Sequence, residues 1–388
     1  MNPLDDNNAF WRSSDGYVAL NPHRKEEAHG LAEFSHASDA TRSLIFFQTS
    51  GSEGAPKWCG LSREAMLVSA RAVNAHLEVT PQDRWLIALP LHHVGGFSIL
   101  ARGFASGASF VRANEKWDAA KFAELCDQEK ITLTSLVPTQ MFDLVQAEIP
   151  APPSLRAVVV GGAGLSKELG REAQRLGWPV LQSYGMTETA SQVATSSLAN
   201  LRDKFDPDNL EVMPIWELKT DSDQQLTVRG AALAAGYAIN KSKAWRWIEI
   251  NSSCGLRTRD RVEIRNQGTR LCLSFLARES SLVKVMGEMV NMDELQSRLE
   301  SLTDAPHRVA ICALPDARKG RKLVLVGELS GQELEELQVR FNHNVLGIEK
   351  IEESVGLPKI PRSALGKLDR ERIRETLNNA CFKKAPYF

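Results

Sequence analysis

The chain has 388 residues, 43% of them hydrophobic and 24% charged, with a formal net charge of -1. That length allows a sizeable core and two or more domains, and the near-neutral balance leaves no electrostatic footprint for nucleic acid or an anionic membrane. No apolar run approaches the roughly 18 residues of a bilayer span. The opening, MNPLDDNNAFWRSSDG, has neither the basic nor the apolar region of a secretory signal. Six cysteines (Cys59, Cys126, Cys254, Cys272, Cys312, Cys381) show no CxxC pair and no metal-ligand spacing, so free thiols in a reducing cytoplasm are expected, without zinc.

After a polar opening of about 40 residues, strand and helix signals alternate. Ser43–Gln48 is a short apolar run that stops at a Gly-rich loop, and Ser62 then caps a helix with apolar residues recurring at three and four positions. Strands are predicted at 84–89, 108–111, 131–137, 155–160 and 179–183, with helices at 96–105, 118–129, 138–147 and 166–176 between them. Such alternation predicts an α/β fold: mostly parallel sheets flanked by helices. From about Asn209 the pattern turns to strands around polar turns, IWELKTDSDQQLTVRG and then RTRDRVEI. The last part predicts a small α+β domain, with helices at 292–301, 332–343 and after Leu368, and strands at 307–314 and 322–328. The expected division is a large domain over 1–276 and a small one over 277–388.

Thr49–Lys57, TSGSEGAPK, is the first segment with chemistry in it. Small and hydroxylated residues let backbone N–H groups approach an anion, Thr49, Ser50 and Ser52 add donors, and Lys57 adds charge. Such a loop can cradle a polyphosphate, or be a surface turn that ends in lysine. It is not a Walker A loop, because Pro56 precedes Lys57 and Trp58 stands where Ser or Thr would meet magnesium. LPLHHVGGFSIL (Leu89–Leu100) sets two histidines before Gly95 and Gly96, either as a polar pair capping a helix or as the border of a pocket for a flat substrate. VVVGGAGLS (Val158–Ser166) runs a strand into a glycine turn, at the strand end where parallel sheets bind ligands. QSYGMTETASQ (Gln182–Gln192) also fits a helix N-cap at Thr187 with Glu188 in the first turn. RTRD (Arg257–Asp260) alone is a surface loop, and Lys367 in LPKIPRSALGKLDR is alone one more solvated lysine.

In this order, across residues 44–370, the segments resemble the signature blocks of the adenylate-forming superfamily, which includes acyl–CoA synthetases, luciferases and peptide-synthetase adenylation domains. The resemblance implies that Thr49, Ser50, Gly51, Ser52, Gly54 and Lys57 hold the ATP phosphates and that Gly161, Gly162 and Ala163 wall the adenine pocket. It implies that Tyr184 stacks on adenine with Gly185 and Met186 beside it, that Thr187 bonds the α-phosphate, and that Glu188 holds Mg2+. Asp260 would bond the ribose, with Arg278 also on the nucleotide. His93, Gly95 and Gly96 would border the acyl pocket, with Ser191 and Gln192 contacting the acid. Lys367 would bridge the carboxylate and the α-phosphate, then withdraw as the small domain rotates about Ser280 to admit the thiol. The pattern departs from the superfamily at Glu53, Arg259, Ala277 and Ser280, and the chain is expected to be a version with a shortened N-terminus.

The implied activity is an ATP- and magnesium-dependent acid–thiol ligase that forms an acyl-adenylate and then a coenzyme A thioester. Within the superfamily the 90–100 and 183–192 segments are most similar to ligases for an aromatic acid of menaquinone biosynthesis. Another aryl- or acyl–CoA ligase, or a nucleotide-binding homologue that acts through a partner without catalysis, are the alternatives. Thr187, Glu188, Asp260 and Lys367 occurring together favour the enzyme. The expected partners are a small carboxylic acid, ATP and coenzyme A, with a homodimer through a sheet edge as a further expectation.

Overall fold

The computed structural model describes residues 2–22, 25–49, 57–113, 116–241, 244–286, 288–316, 320–345, 347–363, 366 and 368–382. The chain divides into two compact units, Met1–Leu276 and Ala277–Phe388.

In the first unit the strands Arg84–Ile87, Ser109–Arg112, Leu133–Leu136, Ala157–Val160 and Val180–Met186 pair in parallel. Helices Arg63–His76, Val94–Ser106, Ala119–Gln128, Pro138–Gln146 and Lys167–Arg175 alternate with them. Their starts are chemically marked: Ser62, Asp118 and Ser166 each accept a backbone N–H of the first turn through their side chains. Alternate strand residues serve two cores. Trp85, Ile87, Leu133, Val159 and Leu181 pack with Val73, Phe97 and Leu100 on one face. Leu86, Leu136, Val158, Val160 and Val180 pack with Phe122, Met141 and Trp178 on the other. Beyond Met186 the same sheet continues antiparallel through Ser191–Thr195, Leu210–Val212, Arg270–Arg278, Leu256–Gln267, Gln225–Gly230 and Trp216–Thr220.

A second sheet of the unit runs Tyr17–Ala19, Ile45–Thr49, Lys57–Leu61, Gly236–Lys241, Ala244–Glu249. Its first strand, and the helix Asn7–Arg12, fall in the stretch that the sequence presents as a polar opening. That helix has six residues, too few to display a period, yet it buries Phe10 and Trp11 against Phe97 at ring distances of 5.8 and 6.0 Å. Tertiary packing, not helical propensity, holds so short an element.

The second unit is α+β. The strands Val309–Asp316, Gly320–Gly327 and Ile351–Gly356 carry helices Met292–Glu300 and Gly331–His343 over one face, through Leu295, Leu299, Leu334 and Phe341. Helix Arg370–Phe382 covers the other face with Ile373 and Leu377. Among the described residues, no helix is long and apolar enough to cross a membrane.

At the N-terminal ends of the parallel strands a buried carboxylate joins three of them. Asp83 accepts from Arg156 Nε and Nη2, both at 2.8 Å, from Thr132 Oγ1 at 2.7 Å and from Thr80 N at 2.9 Å. Burial alone would raise this carboxyl, but the bonds from Arg156, Thr80 and Thr132 outweigh it and lower its pKa to about 2. Asp83→Asn is expected to cost about 2 kcal/mol of unfolding free energy at neutral pH, with Arg156 left half-paired. Because the folded carboxyl titrates below the unfolded one, that stability is full above about pH 4 and is lost as pH falls toward about 2. Denaturant melts of the two proteins should therefore converge across that window.

Candidate active site

Several of the predicted residues follow the C-terminal ends of the parallel strands. Gly161 to Ala163 leave strand Ala157–Val160 in a turn with Gly162 at φ +85. The turn is fastened to the next strand by Gln182, whose Oε1 accepts from Leu165 N at 2.8 Å and whose Nε2 donates to Ala163 O at 3.3 Å. Tyr184, at the end of that next strand, donates its hydroxyl to Asp260 Oδ2 at 2.8 Å. Two residues far apart in sequence, predicted for adenine and ribose, thus meet. Asp260 is buried, whereas Arg259 is exposed; successive strand residues face opposite ways, so the departure from the superfamily pattern points away from Asp260.

Between Tyr184 and Ser191 the chain makes a tight reversal. A Cβ on Gly185 would lie 1.7 Å from Ser191 O, so only glycine passes there. The turn includes Ala190 at φ 52 and Ser191 at φ 123, conformations that L-residues seldom adopt. Thr189 steadies it, its hydroxyl accepting from Met186 N at 3.1 Å and donating to Met186 O at 3.0 Å. The single turn Thr187–Thr189 has Met186, not Thr187, at its N-cap. Glu188 is held twice: its main-chain O accepts from Ala234 N at 2.8 Å, and its Oε1 accepts from the hydroxyl of Tyr237 at 2.9 Å.

Thr49 and Lys57 face each other as the last paired rung of two antiparallel strands, with Thr49 Oγ1 donating to Lys57 O at 3.2 Å. The predicted phosphate loop spans this rung; Ser50, Gly51, Ser52, Glu53 and Gly54 lie outside the described residues. The strand leaving the loop pairs Cys59 with Tyr237. Burial, and then the charge of Glu188, pushes the Cys59 thiol well up, which places the carboxylate beside that strand.

The residues predicted for the acyl end lie at the start of helix Val94–Ser106. His93 is its N-cap residue, but makes no side-chain capping bond, so the capping alternative for His93 does not hold. Gly96 serves the fold: a Cβ there would meet Leu89 O at 2.5 Å and Pro90 O at 2.6 Å. Gly95 has only Leu89 Cδ1 nearby, at 3.3 Å. Gln192 is buried, with Oε1 accepting from Thr195 Oγ1 at 2.6 Å.

The residue that sequence reading missed is Arg102. Its guanidinium is buried, stacked 5.1 Å from the Trp85 ring, and donates from Nη2 to Ser191 Oγ at 3.2 Å. Nε and Nη1 have no partner among the described residues. Burial lowers its pKa to about 9, which leaves it charged at neutral pH. A buried cation costs several kcal/mol unless an anion joins it. The available signal was an arginine inside the otherwise apolar VGGFSILARGFAS.

Arg278 is exposed and falls in the second unit; Lys367 lies outside the described residues. No group of three or more His, Cys, Asp or Glu capable of holding a metal occurs among the described residues. The single carboxylate of Glu188, at the predicted phosphate site, still fits magnesium, which takes one or two carboxylates and completes its shell with phosphate oxygens and water.

The family model of AMP-binding enzymes matches residues 12–219. The chain belongs to that family. It is 28% identical over 341 residues to the 2-succinylbenzoate–CoA ligase of Listeria monocytogenes serotype 4b, covering 87% of this chain and 71% of the relative. Among solved structures, o-succinylbenzoate CoA synthetase of Bacillus subtilis in complex with its acyl-adenylate intermediate superposes with a TM-score of 0.71 at 26% identity, covering 85% of this chain and 68% of that one. The same enzyme with ATP and a magnesium ion gives 0.70 at 26% identity, over 84% and 69%.

Gly185→Ala should collide with Ser191 and spread the turn. It is expected to destabilise the protein by about 3 kcal/mol, and to weaken ATP binding at least about tenfold as Thr187 and Glu188 shift. Thermal melts and calorimetric titration with ATP would measure the two effects.

Proposed function

We propose that the chain is a magnesium-dependent acid–CoA ligase that converts o-succinylbenzoate to o-succinylbenzoyl-CoA through an acyl-adenylate. The observation that carries this reading is the buried Arg102 guanidinium bonded to Ser191, just beyond the turn that presents Thr187 and Glu188. An acid with one carboxylate for adenylation and a second, distant one would bring the anion that this buried cation lacks. Nε and Nη1 of Arg102 are the donors left without a partner among the described residues, and a guanidinium N–H to a carboxylate makes a charge-assisted bond. The named ligase and synthetase relatives support the same acid.

In the first half-reaction a carboxylate oxygen of the acid attacks the α-phosphorus, the bond to the bridging oxygen breaks, and pyrophosphate leaves. Tyr184 and the Gly161–Ala163 turn hold adenine, Asp260 the ribose, and Thr49 and Lys57 the outer phosphates. Thr187 donates to the α-phosphate, and Lys367 aligns carboxylate and phosphate. Magnesium, when bound at Glu188, neutralises charge on the phosphate oxygens. In the second half-reaction the coenzyme A thiolate attacks the acyl carbon and AMP leaves. Cys59, Cys126, Cys272 and Cys312 are buried and unpaired, in keeping with work in the reducing cytoplasm.

The test is AMP release with ATP, magnesium and coenzyme A across o-succinylbenzoate, benzoates and fatty acids. Turnover with o-succinylbenzoate above the rest is expected; turnover with another acid alone would keep the ligase and discard this substrate. Arg102→Met should raise KM for o-succinylbenzoate by about a hundredfold, with kinetics on any accepted monoacid little changed. Lys367→Ala should abolish adenylation yet spare thioester formation from supplied acyl-adenylate; equal loss of both steps would refute that role.

A further inference from the structure

Tyr237 belongs to none of the segments that carry the superfamily likeness, yet it touches the centre of the proposed site. It stands on the inner strand Gly236–Lys241, clasped between Lys57–Leu61 on one side and Ala244–Glu249 on the other. Tyr237 is opposite Cys59, and Ile239 is opposite Lys57. The preceding Gly236 leaves no slack: a Cβ there would lie 2.3 Å from Ile248 O and 2.7 Å from the Trp247 ring. A strand so enclosed cannot slip its register without turning its side chains to the wrong face. From this fixed position the Tyr237 hydroxyl donates to Glu188 Oε1 at 2.9 Å, while Ala234 N, three residues earlier, donates to Glu188 O at 2.8 Å. One short stretch, 234–237, therefore holds both the main chain and one carboxylate oxygen of Glu188.

The phenol is suited to this. A phenol O–H is a donor that a carboxylate oxygen accepts, and Cys59, opposite Tyr237 on the paired strand, is buried. No bond to Glu188 Oε2 is formed by the described residues.

We infer that Tyr237 is a positioning residue for the metal-binding carboxylate, occupying Oε1 so that Oε2 alone meets magnesium, in register with the strand that leaves the phosphate loop at Lys57. This rests on the reading of Glu188 as the magnesium ligand. Single-oxygen ligation suits the compact octahedral shell of magnesium, whereas calcium readily accepts a carboxylate through both oxygens. Tyr237 thereby contributes to the choice of cation as well as to its affinity.

Tyr237→Phe keeps the ring and removes the donor. With the full chain and ATP but no acid, Mn2+ binding followed by electron paramagnetic resonance should weaken about tenfold, the loss of one hydrogen bond to a charged group. Calcium should displace Mn2+ more readily from the variant than from the wild type. The magnesium concentration for half-maximal pyrophosphate release should rise in parallel, with KM for the acid and the ligand-free melting temperature unchanged. On a Glu188→Gln background the substitution should add nothing. Unchanged Mn2+ affinity, an equal loss on the Glu188→Gln background, or a variant that no longer folds would each overturn the inference. A wild-type chain that binds no Mn2+ with ATP would remove the reading of Glu188 and this one with it. Wild-type binding with an indifferent Tyr237→Phe would remove this one alone.

Discussion

The crossing of Gly185 beneath Ser191 is the constraint on which the proposed site depends. With a hypothetical Cβ only 1.7 Å from Ser191 O, the backbone there has no room for a side chain. The reversal it closes holds Ala190 at φ 52 and Ser191 at φ 123, each a conformation costing on the order of 1–3 kcal/mol. Such strain survives only where neighbours over-determine it. Here Ser69 Oγ donates to Ala190 O at 3.3 Å, Ala234 N donates to Glu188 O, and Thr189 bonds Met186 in both directions. Before the turn Tyr184 bonds Asp260, and at its end Ser191 accepts from Arg102.

Two arginines, one half-buried and one buried, show how differently the unit treats charge. Arg156 is matched by Asp83 through two bonds of 2.8 Å, with Thr132 and Thr80 completing the carboxylate's partners. That cluster sits where the parallel strands begin, and its charges cancel locally. Arg102 has a ring and one hydroxyl instead of a carboxylate. Burial therefore lowers the Arg102 pKa with nothing to offset it. A fold under selection for stability alone has no use for such a residue, because a well-packed apolar side chain costs less. The unbalanced charge makes sense as part of a complex with an anion.

Much of this was legible in the sequence, for a physical reason. Period-2 and period-3.6 patterns, with Ser62, Asp118 and Ser166 as caps, are local signals, and the strands and helices from Ile45 to Met186, apart from strand Lys57–Leu61, follow them. Motif residues such as Tyr184, Thr187 and Glu188 stand close together in the chain, so their joint placement needs only one turn. The helix Asn7–Arg12 was hidden because six residues carry no period and its Phe10 and Trp11 find their partner near Phe97. Arg102 and Tyr237 were hidden because their importance lies in distant contacts, with Ser191 and Glu188, that no local pattern encodes. The antiparallel half of the sheet was only partly visible, since strands such as Leu210–Val212 have three residues and depend on their neighbours for definition.

The short separation of Glu188 from Ser191 has a consequence for how such a site can change. The proposed metal ligand and the residue that meets Arg102 lie on one rigid reversal, so a shift that suits a new acid at Ser191 would move Glu188 as well. Arg102 is on a different element, the helix Val94–Ser106, and is joined to the turn by a single bond of 3.2 Å. Replacing Arg102 alters the acyl end while Gly185, Thr189 and Tyr237 continue to hold the turn. On the proposed reading the acid can vary through the helix while the phosphate chemistry stays with the turn, and a reversal too tight to deform keeps the two separable.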